Sequence, residues 1–160
     1  MTSFYGVPID VIINLTLAML LGMVVGTERL FAHKTASMRT YALVAMGSAL
    51  FAIITDMAST MYANTFASIN PLLMTAQIIT GVGFLGAGVI FVKNNQLQGI
   101  TSASGLWVVA GIGMAAGFGF HGVAIVTTLL TLFIFVVLWF IEQHLKRLNL
   151  TIDTDKQDSG

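Results

Sequence analysis

Every Lys and Arg of this chain, seven in all, falls on the same side of a pattern of five apolar segments. Arg29, Lys34 and Arg39 separate the first segment from the second, and Lys93 separates the third from the fourth. Lys146, Arg147 and Lys156 follow the fifth, and the alternate connections carry no Lys or Arg. Spanning helices keep basic residues in their cytoplasmic connections, and the bias acts close to the span ends. The pattern predicts an all-α integral membrane protein of five transmembrane helices, with the N-terminus outside and the C-terminus cytoplasmic.

A bilayer core about 30 Å thick requires roughly 20 mostly apolar helical residues. The segments that meet this are Ile9–Leu30, Thr40–Met57, Leu72–Val92, Thr101–Gly119 and Val123–Ile141. The first has no basic n-region and no clear small-residue cleavage site, so it reads as a span and not as a signal peptide. Pro71 is placed to open the third helix, where its missing N–H costs least. The loop Ala58–Asn70 is polar and small, and the link Phe118–Gly122 is short enough to force an antiparallel hairpin. Glu142–Leu150 reads as a short amphipathic extension, and residues 151–160 as a polar, disordered tail. The expected organisation is a single membrane domain over residues 1–150.

Composition excludes several functions. Only 9% of the residues are charged and 56% are hydrophobic, with a mean hydropathy of +0.89. Soluble domains carry about 25% charged residues. A net charge of zero argues against a nucleic-acid partner, which demands a basic face. The chain has no cysteine, so thiolate metal sites and cysteine nucleophiles are out. His33, His121 and His144 are dispersed without metal-ligand spacing. No motif of water-phase catalysis is present, and an enzyme is not expected.

The spans differ in texture. Eleven of the sixteen glycines lie between Gly81 and Gly122. Helices inside lipid associate mainly through close packing of small residues, which predicts that spans three and four are central and that the bulky fifth span is peripheral. Span one has its own small stripe of Asn14, Ala18, Gly22 and Gly26, for which helix packing is the plain account and a substrate-facing Asn14 the sharper one. Gly81-Val-Gly-Phe-Leu-Gly86 matches G-x-G-x-x-G, yet the glycines lie inside an apolar segment and no acid follows near Thr101. A dinucleotide site is therefore rejected. The extended run through Gly88 fits either close helix contact or a broken helix lining a cavity.

Glu28, Arg29 and Arg39 bracket the first inner turn. Neighbours in a helix do not face each other, so Glu28 is expected to pair with Arg39 across the turn, with Arg29 snorkelling to headgroups. In the alternative, Glu28 is a cation ligand or gate. A lone carboxylate is a poor Mg²⁺ cage, because that ion prefers octahedral oxygen coordination and retains waters. Gln77, Thr80, Thr101, Ser102 and Ser104 supply neutral polar groups whose default role is hydrogen bonding between or within helices. Asp10 and Asp56 are expected near the outer surface.

Four stretches together carry a resemblance: Gly26-Thr-Glu-Arg29, Ala36-Ser-Met-Arg-Thr40, Gly81-Val-Gly-Phe-Leu-Gly-Ala-Gly-Val-Ile90 and Gln98-Gly-Ile-Thr-Ser-Ala-Ser-Gly-Leu-Trp107. In order and spacing they resemble the MgtC/SapB family of bacterial membrane proteins over roughly residues 11–122. The resemblance carries onto Gly26, Glu28, Arg29, Arg39, Thr40, Gly81, Gly83, Gly86, Gly88, Gly99, Thr101, Ser102, Ala103 and Trp107. It implies an inner-membrane location and a link to magnesium homeostasis. Gln98 stands where many members have a basic residue, and longer members append a soluble cytoplasmic domain where this sequence has its polar tail. The functional expectation is a regulatory or accessory membrane protein acting through helix contacts with lipids, a second copy as a homo-oligomer, or other membrane proteins. The alternative is a small Mg²⁺ transporter or channel with a path past Asn14, Gln77, Thr80 and Glu28, between spans one, three and four.

Overall fold

A computed structural model describes residues 3–4, 7–34, 36–62, 71–93 and 95–145. Two short strands, β1 (Ser3–Phe4) and β2 (Val7–Pro8), pair at the N-terminus and lead into α1 (Ile9–Phe31). Next come α2 (Met38–Tyr62) and α3 (Pro71–Val89), a hairpin of β3 (Phe91–Lys93) and β4 (Gln96–Gln98), then α4 (Ile100–Gly117) and α5 (His121–Phe133). α5 passes into a π-helical turn, Ile134–Leu138, and helix resumes as far as Leu145. The molecule is an all-α bundle of membrane-protein type carrying two small hairpins. Four helical stretches are long and apolar enough to cross a bilayer: Ile9–Phe31, Met38–Tyr62, Ile100–Gly117 and His121–Leu145. The apolar part of the remaining helix, Leu73–Val89, is shorter.

Local chemistry explains the ends. α1 stops in a Schellman arrangement, in which Lys34 N–H donates to the Arg29 carbonyl and His33 N–H to the Leu30 carbonyl, with His33 at φ 52°. α4 stops the same way around Gly119, at φ 79°, which turns the chain directly into α5. Pro71 opens α3 as expected. The third helix ends earlier than its apolar run suggests. Residues 91–92, assigned to a helix by hydropathy, instead form strand β3. Gly99, at φ 92°, permits the close return of the hairpin: a side chain there would strike the Val89 carbonyl. α2 continues to Tyr62, so part of the stretch assigned to a loop is helical, while residues 63–70 lie outside the described residues. The same holds for the basic residues Lys146, Arg147 and Lys156 and for the tail 151–160.

One expectation about packing is overturned. α4 is central, packing against α1, α2, α3 and α5, but α3 is not. Among the described residues Gly81, Gly83 and Gly88 have no neighbouring group within 4 Å of where a side chain would begin, and a side chain at Gly86 would begin 3.6 Å from Ala103. The intimate contacts are α1 on α2 and α2 on α4. Added Cβ atoms at Gly22 and Gly26 would lie 2.6 Å from the Tyr41 carbonyl and the Met38 Cα. One at Gly117 would lie 2.6 Å from the Ala49 carbonyl. The complementary surface on α2 is Ala42, Ala45, Ala49 and Ala52, all buried. Small residues on both helices bring the backbones together, and dispersion then acts over many atom pairs. α5 is peripheral, as expected, burying only Ala124, Thr128 and Thr131, with Phe135 beyond them.

Candidate functional site

The family-like motifs converge at one end of the bundle, where α1 ends and α2 and α4 begin. Gly26 lets the start of α2 lie against α1. The Tyr41 hydroxyl then crosses to α4 and donates to the Ser102 carbonyl at 2.9 Å. Gly105, one turn on, makes room for both rings: a Cβ there would be 2.5 Å from Tyr41 Oη and 2.7 Å from Phe135 Cζ. Tyr41 is fully buried.

Arg29 lies in the same cluster and is only 3% exposed. Its guanidinium stands 3.6 Å from the centroid of the Phe135 ring. Nε and a terminal nitrogen both donate to Glu28 Oε2. Two expectations are thereby corrected. Glu28 pairs with Arg29 and not with Arg39, which is exposed along with Thr40. Arg29 does not snorkel. A long flexible arginine can curl back to its neighbour's carboxylate even though adjacent Cβ atoms diverge, and the aromatic face supplies a second favourable surface for a desolvated cation.

At the opposite end, Asn14 joins three helices. Its Nδ2 donates to the Gly117 carbonyl at 3.3 Å, and its Oδ1 is 2.7 Å from His121 Nε2. With that Nε2 acting as donor, the amide clamps the α4–α5 turn to α1.

The other polar positions stay apart. Thr80 returns its hydroxyl to the Ala76 carbonyl at 3.0 Å and is exposed, as is Gln77, which lines an apolar groove of about 530 Å³ between α2 and α3. Ser104 bonds back to the Ile100 carbonyl. Trp107 is 54% exposed beside the α3–α4 groove. Asn14, Thr80 and Glu28 thus bond to different partners, and Gln77 lines the α2–α3 groove. Among the described residues no group of three or more His, Asp or Glu is placed to hold a metal ion. With Oε2 taken by Arg29, Glu28 alone does not make a Mg²⁺ cage.

Tyr41, Gly105 and Phe135 were not singled out from the sequence. The first two carry a weak signal, because Tyr41 directly follows Arg39-Thr40 and Gly105 lies inside the stretch from Gln98 to Trp107. Phe135 is one of many bulky residues in its span and carries none.

Comparison with known proteins bears on this cluster. A family model described as the MgtC family matches residues 15–144. YhiD of Escherichia coli K12, whose name provisionally makes it a magnesium transporter, is 38% identical over 129 residues, 80% of this chain and 60% of that protein. Protein MgtC of Salmonella typhi is 37% identical over 146 residues, 91% of this chain and 60% of its own length. A protein of Haemophilus influenzae without a functional name is 40% identical over 122 residues, 74% of this chain and 51% of its own. The chain therefore spans only 51% to 60% of the length of these relatives. No solved structure gives a significant match.

Proposed function

The chain belongs to the MgtC family, and from that premise we propose that it is a multi-pass protein of the bacterial inner membrane with a regulatory or accessory role in magnesium handling. The magnesium link rests on the name given to the YhiD relative. In this reading all five helices cross the bilayer and the basic end is cytoplasmic, because Arg29, Lys34, Arg39 and Lys93 all belong to the end where α1 stops and α4 starts.

The observation that carries the regulatory reading is the open face of α3. Among the described residues Gly81, Gly83 and Gly88 meet nothing within 4 Å, and Phe84 beside them is 81% exposed. Elsewhere in the bundle, small residues are used for helix contact. A face of this composition suits another membrane helix, from a second copy or a different protein. Glu28, already committed to Arg29, favours this reading over transport.

The test is reconstitution in proteoliposomes with an entrapped Mg²⁺ indicator, alongside growth of a family-deficient strain at low magnesium. The expected result is no flux above empty liposomes from folded protein. Gly81→Leu should lose the growth function while keeping its thermal stability. Flux that disappears in Glu28→Gln would establish the transport alternative instead.

A further inference from the structure

We propose that a pocket at the basic end of the bundle binds a phosphate group, supplied by an anionic phospholipid or by free inorganic phosphate. The pocket has a volume of about 350 Å³ and lies between the end of α1, the first turn of α4 and the helical stretch beyond α5 that holds Ile134 and Gln143. Its polar lining is Arg29, Lys34, Thr101, Glu142 and Gln143, with Trp139 on the same wall.

Arg29 anchors the site. A guanidinium carries five N–H donors in a rigid fork, and the only acceptor bonded to this one among the described residues is a single oxygen of Glu28. The fork is held flat by Phe135 at 3.6 Å and borders the pocket. Lys34 stands exposed just past the turn that ends α1. Thr101 lines the pocket from the first turn of α4, where the N–H groups before Ala103, which donates to the Gly99 carbonyl, have no partner inside the helix. Glu142 is the one acid of the lining, and it is itself engaged with another group. Arg29 and Lys34 are offset in formal charge by Glu28 and Glu142, but the lining is richer in donors than in acceptors, and an arginine fork matches two oxygens of a phosphate.

A second observation comes from α5. The π-helical turn Ile134–Leu138 forms one wall of this pocket through Ile134, Phe135 and Leu138. Such turns cost regular helix geometry and recur at functional sites. Here the turn carries Phe135 beneath the guanidinium and is followed at once by Trp139 on the wall. Basic pockets between membrane helices take anionic headgroups, and an aromatic residue at such a level suits the headgroup boundary.

The full chain is tested in nanodiscs of phosphatidylcholine with or without phosphatidylglycerol, and in detergent titrated with inorganic phosphate, reading the unfolding temperature. Phosphatidylglycerol should raise it in the wild type. Lys34→Glu should weaken the apparent affinity about fivefold or more, and Gln143→Glu on the opposite wall should do likewise. Lys93→Glu, a basic residue of the β3–β4 hairpin away from the pocket, should leave it unchanged. Stabilisation by inorganic phosphate without a lipid preference, sensitive to the same two variants, keeps the site and identifies free phosphate as its ligand. The proposal is overturned if neither probe stabilises the wild type. It is equally overturned if Lys93→Glu loses as much as Lys34→Glu, since the effect would then be general surface charge.

Discussion

The guanidinium of Arg29 lies 3.6 Å over the ring of Phe135, tying the end of α1 to the π-helical turn that follows α5. The contact joins residues far apart in the sequence and holds a buried cation beside its carboxylate partner Glu28. It also links the charged motif of α1 to the helix that otherwise contacts the bundle least.

Removing the ring should therefore cost more than its packing. Phe135→Leu is expected to lower stability by about 1–2 kcal/mol beyond the loss of contact area, the range for a desolvated cation–π pair. The check is a double-mutant cycle with Arg29→Gln, followed by thermal unfolding in detergent. Additive effects in that cycle would show that the two side chains do not interact.

Glu28→Gln leaves Arg29 charged, buried and without its anion. A loss of about 3 kcal/mol is expected, at the low end for breaking a buried pair. A cation ligand in a wet path would behave differently, losing ion flux with little change in unfolding temperature. Measuring both quantities on the same preparation separates the two roles.

Glycines of similar appearance should differ sharply. Gly113 faces the Ala45 carbonyl so closely that no side chain fits, whereas Gly111, two residues earlier, has open space. Gly113→Leu is expected to destabilise by about 3 kcal/mol or prevent folding, and Gly111→Leu to change the unfolding temperature little. Equal effects would mean that α2 and α4 do not approach as described.

At the other end, Asn14 and His121 should be coupled through their 2.7 Å contact. Hydrogen bonds between membrane helices average about 0.6 kcal/mol in such cycles. Asn14→Leu and His121→Leu, alone and together, should return an interaction energy of that order. A value near zero would remove the clamp between α1 and the α4–α5 turn.

Much of the architecture could be read locally. Apolar length and the one-sided basic residues located the helices, since both are properties of consecutive residues, and Pro71 marked where α3 begins. Gly22 and Gly26 of the small stripe on α1 pack against α2, as a plain packing face requires. The glycine run of α3 misled, because glycine density reports that close approach is allowed and not that any neighbour has come close. Gly81 and Gly113 look alike until the partner helix is placed. The charge pairing failed for a related reason: Cβ directions predicted Glu28 with Arg39, but the length of the Arg29 side chain and an aromatic face from α5 decided otherwise.

The sequence by itself determined that this chain is a helical membrane protein, which end is basic and that it belongs to the MgtC family. Hydropathy, charge and motif order are all written along the chain. Only the tertiary structure decided that α4 is the centre, that α3 keeps an open face, and that Arg29, Phe135 and Tyr41 meet. Those outcomes depend on which small surfaces fit each other in three dimensions, and several helices offer surfaces of nearly equal composition.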